Sequence, residues 1–162
     1  MVGFVERLVP DELWELFQRV VPEAPSRPQG GGRRRHGDRE VLAAIVFVAT
    51  SGCTWQQLPA ASFGPSGATA HRRFTEWTKA RVWARLHSLV LDELGSRGDL
   101  DWSRWAIDSV MRLGRHRWTI ERTMAWLAGC RRLHRRYERK ADHFLAFTSI
   151  ACTLICYRRL AR

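Results

Sequence analysis

Residues 38–79 carry the clearest structural signal of this chain: DREVLAAIVFVATSGCTWQQLPAASFGPSGATAHRRFTEWTK. Apolar residues recur at helical spacing from Asp38 until Gly52 ends the run, and this spacing predicts a buried face formed by Val41, Leu42, Ile45, Val46 and Val48. Residues 54–59 predict a single short helical turn, and a loop rich in Gly, Pro and Ser then leads into a helix over about 68–79. This order is typical of a helix-turn-helix unit. From the segment alone, a plain helical hairpin with a solvated face explains the pattern equally well.

The helix over about 68–79 supplies the first candidate DNA contacts. Phe74 and Trp77 would anchor it to a core. In a helix-turn-helix unit, the polar residues near its N-terminus would then face the major groove. The candidates are Thr69, His71, Arg72 and Arg73.

The charge of the chain indicates a polyanionic partner. Among its 162 residues, 27 are basic and 16 acidic, which gives a formal net charge of +11. Nucleic acid is favoured over an anionic membrane surface, and a solvated basic surface without a partner is the alternative. The excess is concentrated in a loop at 22–37, which also reads as an ordinary linker, and in a segment at 131–140. The candidate phosphate contacts there are Arg33, Arg34, Arg35, Arg131, Arg132, Arg135 and Arg136.

Two observations limit the other classes of function. The N-terminus lacks the layout of a signal peptide and no apolar stretch is long enough to span a bilayer, so we expect a cytoplasmic, nucleoid-associated protein without membrane contact. The four cysteines form no C-x-x-C pair. Cys152 and Cys156 lie one helical turn apart in an apolar run, which favours buried free thiols over a zinc site.

The rest of the chain also predicts mainly α structure. A helix should begin near Pro10-Asp11-Glu12, and others are predicted over about 81–95, 117–133 and 141–160. A short strand over 102–110 would end near Asp108. In the last helix Phe144, Phe147, Ala151 and Leu154 share one face.

Two groups of motifs, in N-terminal to C-terminal order, cover most of the chain. The first group comprises Asp11-Glu12-Leu13-Trp14, the segment 51–59, and His71-Arg72-Arg73-Phe74 with Trp77. The second group comprises the segment 117–127, Arg131-Arg132-Leu133 and Arg136-Tyr137-Glu138-Arg139. The first group, over roughly 8–95, resembles the DNA-binding region of IS402-like members of the IS5-type insertion-sequence transposases. The second, over roughly 116–160, resembles the end of their catalytic domain still more closely.

The resemblance implies an RNase H-like fold with a triad of two aspartates and one glutamate. Such a triad holds two divalent ions, usually Mg²⁺, which activate the attacking oxygen and stabilise the leaving one. Asp108 matches the first aspartate and Glu121 the glutamate, so both are the candidate catalytic and metal-binding residues. Without the resemblance, Asp108 would be explained as a cap and Glu121 as a partner of Arg117 at i,i+4 spacing.

The chain departs from the family pattern between these two residues. Asp108 and Glu121 are only 13 positions apart (121 − 108), and no acidic residue lies between them. Such a linker is too short for the remaining strands and first helix of the sheet. We therefore expect an internally shortened transposase, with a helical DNA-binding domain at 1–97 and, at 98–162, an RNase H-like remnant of about one strand and two helices.

The leading interpretation is a transposase-family protein that binds double-stranded DNA at the terminal inverted repeats of its element but lacks a complete catalytic core. The partners expected besides DNA are further copies of the chain, in a homo-oligomer, or an intact transposase, in a hetero-oligomer. One alternative function is a non-cutting repressor of an intact transposase. Another is a remnant without a stable fold, which would expose Trp118, Trp126 and Leu127. A general RNA-binding protein is disfavoured because the aromatic residues occupy core-like positions.

Overall fold

The computed structural model describes residues 3–23, 35–97, 127–134 and 137–161, and these ranges contain helices and no β-strand. The α-helices are α1 (Phe4–Leu8), α2 (Asp11–Gln18), α3 (Asp38–Ser51), α4 (Ala60–Phe63), α5 (Gly67–Lys79), α6 (Val82–Ser96) and α7 (Ala141–Leu160), and two 3-10 helices cover Trp55–Gln57 and Arg131–Leu133. The predicted mainly α fold is confirmed. The strand predicted over 102–110 and most of the helix predicted over 117–133 lie outside the described residues.

The helix α3 lies at the centre of the core. Eight of its 14 residues are buried, and they include all five positions that the periodicity predicted, Val41, Leu42, Ile45, Val46 and Val48. Gly52 ends the helix with a φ of 72°, a left-handed conformation that glycine adopts without steric cost. A helix with so many buried residues has neighbours on several sides, which here are α1, α4, α5, α7 and the second 3-10 helix.

The helix α2 is fixed to this centre by aromatic packing and by one arginine. Phe17 lies 5.0 Å from the ring centre of Trp77 on α5. Arg39 on α3 donates hydrogen bonds to the carbonyl of Val9 at 2.8 Å and to the carboxylate of Asp11 at 2.7 Å. These bonds place the start of α2, which begins after Pro10 as predicted, against the first turn of α3.

The C-terminal helix α7 packs mainly along α6 and also contacts α3 and α5. Phe147 is buried and stacks on Phe74 of α5 with ring centres 4.6 Å apart. Phe144, which was expected on the same face, is 43% exposed, whereas the preceding residue His143 is buried. Side chains of α7 thus belong to the same core as those of α2 to α6. The division into domains at 1–97 and 98–162 stays a prediction.

Several smaller features complete the fold. The sequence did not predict α1 and α4, which span only five and four residues.

All four cysteines are free; Cys130 is buried, whereas Cys152 and Cys156 are half-buried and burial raises their pKa values. Leu127 is half-buried against the core, and Trp118 and Trp126 lie outside the described residues. Within the part of the chain that the structure describes, no helix is long and apolar enough to cross a membrane.

Candidate nucleic-acid interface

The turn between α3 and α5 is built around a close backbone approach. A Cβ atom on Gly67 would lie 1.7 Å from the carbonyl oxygen of Trp55, so only glycine fits at the first position of α5. The hydroxyl of Ser66 accepts a hydrogen bond from the amide of Thr69 at 3.3 Å and caps the helix. Together these contacts hold the N-terminus of α5 against the first 3-10 helix.

The helix α5 has an inner and an outer face. Ala70, Phe74 and Trp77 are completely buried and fix the helix to the core, as the sequence predicted for the two aromatic residues. Arg72 is exposed on the outer face, and Thr69 is half-buried beside the cap with its hydroxyl 3.1 Å from that of Ser66. Of the four candidate contacts on α5, Arg72 is exposed, Thr69 and His71 are half-buried, and Arg73 is buried.

Arg73, the residue next to Arg72, lies inside the protein. Its side chain is only 7% exposed, forms an ion pair with Asp38 at the start of α3, and donates a hydrogen bond to Glu76 at 2.9 Å. Its guanidinium also lies 4.8 Å from the ring centre of Trp77. Burial raises the pKa of Asp38, while Arg35 opposes that rise. This placement supports a role for Arg73 in joining α5 to α3 rather than in contacting a phosphate.

His71 is also turned towards the protein. Its ring centre lies 5.2 Å from that of Trp55 and 5.7 Å from that of His143 on α7. Burial, followed by the charge of His143, lowers the pKa of His71 below its usual value. The neutral ring is therefore favoured near pH 7, which suits packing and hydrogen bonding better than pairing with a phosphate.

Arg132 is the centre of a buried group that we call the Arg132 cluster, defined as Trp55, Arg132, Glu138, His143 and Phe147. Arg132 is 5% exposed and donates hydrogen bonds to Glu138 at 2.6 and 3.1 Å and to the carbonyl of Cys53 at 2.7 Å. Its guanidinium lies 5.8 Å from the ring centre of Trp55 and 5.5 Å from that of Phe147. His143 lies 3.5 Å from the other oxygen of Glu138. Arg132 is thus occupied by contacts inside the fold.

The remaining predicted residues are either exposed or outside the described ranges. Arg35 is partly exposed and lies 3.8 Å from Asp38, and Arg131 is exposed with its backbone packed beside Gly52. Both can reach an external polyanion. Outside the described residues lie Arg33, Arg34, Arg135, Arg136, Asp108 and Glu121.

Two further cations, Arg139 and Lys140, belong to the basic segment at 131–140 that the sequence predicted to bind DNA, although they were not among its individual candidate contacts. Both are exposed directly before α7, and His143 in the first turn of that helix packs against His71 and Phe74 of α5. The reading also missed the buried partner Glu138. A signal was present, because Glu138 is the only acidic residue between positions 131 and 140.

The described side chains do not form a metal site. No group of three or more His, Cys, Asp or Glu residues within the described ranges is arranged to hold a metal ion. The residues expected to bind Mg²⁺, Asp108 and Glu121, lie outside those ranges. What the described part of the molecule offers is a set of exposed cations around a firmly docked helix.

Two family models match the chain. One, described as "Putative transposase of IS4/5 family", matches residues 9–87, and the other, described as "Transposase DDE domain", matches residues 71–156. DDE transposases depend on divalent metal ions as a family. No solved structure matches the chain.

Two curated relatives come from the same insertion element of Burkholderia cepacia. The "Insertion element IS402 uncharacterized 16.2 kDa protein" is 40% identical over 103 residues, which cover 63% of this chain and 70% of that protein. The "Putative transposase for insertion sequence element IS402" is 52% identical over 50 residues, which cover 31% of this chain and 24% of that protein. The DDE-domain model covers more than half of the chain. This chain therefore belongs to the DDE transposases of insertion sequences.

Proposed function

We propose that this chain binds double-stranded DNA at the terminal inverted repeats of its insertion element, through the outer face of α5 and the exposed cations beside it. The observation that carries the proposal is the placement of α5, whose inner residues are completely buried while Arg72 is exposed near its N-terminal end. A docked helix with an exposed N-terminal arginine is the arrangement by which helix-turn-helix proteins read the major groove.

The exposed cations support the same proposal. Arg72 has the planar donor pair that matches the O6 and N7 atoms of guanine. Arg35 and Arg131 would contact phosphates on either side of the reading helix, and the chain as a whole carries a formal net charge of +11. In this proposal Arg73, His71 and Arg132 hold the surface in shape from inside.

The proposed role is occupancy of DNA without cutting. Asp108 and Glu121 are 13 positions apart with no acid between them, so the second aspartate of the family triad has no counterpart there. Two-metal phosphoryl transfer needs a full set of carboxylates held in fixed geometry. A protein that keeps the recognition helix but lacks the triad would remain nucleoid-associated by binding the ends of its element.

Fluorescence anisotropy with a labelled terminal-repeat duplex tests this proposal. The repeat and a scrambled duplex of equal length are titrated with the full chain across a salt series. We expect tighter binding to the repeat that persists near physiological salt. Equal binding to both duplexes that disappears as salt rises would leave only non-specific arginine contacts, and no binding at low salt would refute the proposal altogether.

Repression of an intact transposase is a second function, favoured by the same separation of binding from cutting. A chain that occupies the repeats would compete with the complete enzyme, alone or in a mixed oligomer with it. The measurement is cleavage of a repeat-bearing duplex by an intact transposase, with increasing amounts of this chain and of its R72Q variant. Repression predicts inhibition by the unaltered chain and much weaker inhibition by R72Q. Equal inhibition by both would contradict it.

A further inference from the structure

The Arg132 cluster joins three segments that are far apart in the sequence. Arg132 bonds to the carbonyl of Cys53, just before the first 3-10 helix, and to Glu138, just before α7. His143, within the first turn of α7, lies against His71 and against Phe74, with ring centres 5.7 and 5.1 Å apart. The cluster therefore ties the start of α7 to the side of α5.

Arg139 and Lys140 lie between two members of this cluster. Glu138 immediately precedes them and His143 follows three residues after Lys140, so both ends of this short stretch are held inside the fold. The stretch itself stays exposed, and His143, which holds its C-terminal end, packs against His71, the residue next to Arg72 in the sequence. The two cations are thus held next to α5, whose outer face carries the exposed Arg72, by residues that are themselves mostly buried.

This arrangement favours phosphate contacts, because long basic side chains on an unrestrained backbone sample many positions before binding. A cation on a fixed backbone loses less freedom when it meets a phosphate than one on a mobile segment. A row of such contacts also sets the register of a reading helix on the duplex. The alternative is that Arg139 and Lys140 are solvated charges that contribute only to the general field of the protein.

We propose that the Arg132 cluster is the positioning element of a composite DNA surface, in which Arg139 and Lys140 contact the phosphate backbone beside the groove that α5 reads. Segments from the two ends of the chain then form one interface, and Arg132, Glu138 and His143 act as positioning residues. The inference rests on the proposed DNA binding, and it adds that the segment before α7 belongs to the same surface.

The substitution Glu138→Gln separates positioning from charge. It removes one negative charge, so an interface governed by net charge alone would bind duplex DNA equally well or more tightly. If the cluster positions Arg139 and Lys140, affinity instead falls by roughly five- to tenfold, and the slope of log K against log salt becomes shallower by about 1 to 2 as one or two phosphate contacts are lost. Partial unfolding would lower the active fraction without changing the slope.

A matched pair of double variants keeps the test decisive if Glu138→Gln fails to fold. R139Q/K140Q leaves the buried cluster intact and should make the slope shallower by about 1.8, or 0.9 per contact. R19Q/R97Q removes the same charge at the other end of α7, where Arg19 and Arg97 line a cavity together with Leu160. Arg97 donates to the carbonyl of Leu160, roughly 28 Å along the helix from its start. This control should leave the slope unchanged.

The outcomes separate the two proposals. Absence of binding by the unaltered chain refutes DNA binding itself. If the unaltered chain binds while R139Q/K140Q behaves like R19Q/R97Q, the composite surface is refuted and DNA binding by α5 stands. If Glu138→Gln folds and binds as tightly as the unaltered chain with the same salt slope, the positioning role is refuted.

Discussion

The same substitution at two adjacent arginines of α5 should affect two different properties, DNA affinity at Arg72 and stability at Arg73. Arg72→Gln removes an exposed guanidinium, whereas Arg73→Gln removes one that is 7% exposed and bound to Asp38 and Glu76. Both changes delete one positive charge and keep a polar side chain. The pair therefore compares a surface position with a buried one, with charge and location in sequence held almost constant.

The expected loss of stability for Arg73→Gln follows from what is left behind. Removing one partner of a buried ion pair costs about 3–5 kcal/mol, while an exposed pair is worth about 0–1 kcal/mol. Asp38 keeps 21% exposure and retains Arg35 at 3.8 Å, so we expect an intermediate loss of about 2–3 kcal/mol in the free energy of unfolding. Arg72→Gln should change that free energy by less than about 0.5 kcal/mol.

Urea unfolding followed by tryptophan fluorescence measures this difference, and Trp77 directly under Arg73 provides a local signal. With a urea slope of about 2 kcal/mol per molar, Arg73→Gln should lower the midpoint by roughly 1–1.5 M. In the anisotropy assay, under conditions where both variants are folded, Arg72→Gln should lose at least about fivefold in affinity for the repeat. Equal stability of the two variants would refute the buried ion pair. A folded Arg73→Gln variant that loses as much affinity as Arg72→Gln would show that Arg73 contacts DNA.

Three further predictions concern the interior. Arg132→Met should lower the free energy of unfolding by about 3–5 kcal/mol. The double variant R132M/E138M should cost at least about 1 kcal/mol less than the sum of its single variants, because it leaves no unpaired buried charge. Strict additivity of the two losses in urea unfolding would contradict the ion pair. Gly67→Ala should cost about 1–3 kcal/mol, since its Cβ would lie 1.7 Å from the carbonyl oxygen of Trp55, and an unchanged midpoint would contradict that close approach. Burial, followed by the hydrogen bond to Glu12, raises the pKa of Tyr157 from 10.0 to about 12. The neutral phenol therefore contributes stability that is fully present below pH 10 and is lost between pH 10 and about 12. Over that range the free energy of unfolding of the unaltered chain should fall more steeply with pH than that of Tyr157→Phe. Parallel pH profiles of the two free energies would refute this.

The sequence predicted the long helices well because local signals define them. The apolar spacing of α3, its glycine stop and the anchors Phe74 and Trp77 of α5 all act within a few residues of one another. The same signals fail for α1 and α4, which span barely one turn and which tertiary contacts must hold in place. Phe144 shows the limit of periodicity, because the pattern identifies the buried face of α7 but not where the neighbouring helices stop covering it.

The candidate site was harder to predict, because a buried arginine looks like any other in sequence. Arg73 is internal because the fold brings Asp38, 35 positions earlier, beside it. Arg132 is internal because the fold brings the carbonyl of Cys53, 79 positions earlier, within hydrogen-bonding distance. Neither partner follows from local spacing. Of the described residues in the predicted site, Thr69, Arg72, Arg35 and Arg131 are placed where a ligand could meet them. DNA contact at these positions stays a prediction.

The acidic side chains of the described residues explain why the surface is suited to holding a polyanion. Several of them already have partners: Asp11 pairs with Arg39 and Glu93 pairs with Arg97 at the surface, and Glu12 accepts a hydrogen bond from Tyr157. Asp38 and Glu138 are engaged in the same way by the two buried arginines. The carboxylates of Asp38 and Glu138, which neutralise buried arginines, cannot also offset the exposed cations of the described surface. The buried ion pairs that shape α5 and the basic surface around it are therefore two consequences of one distribution of charge.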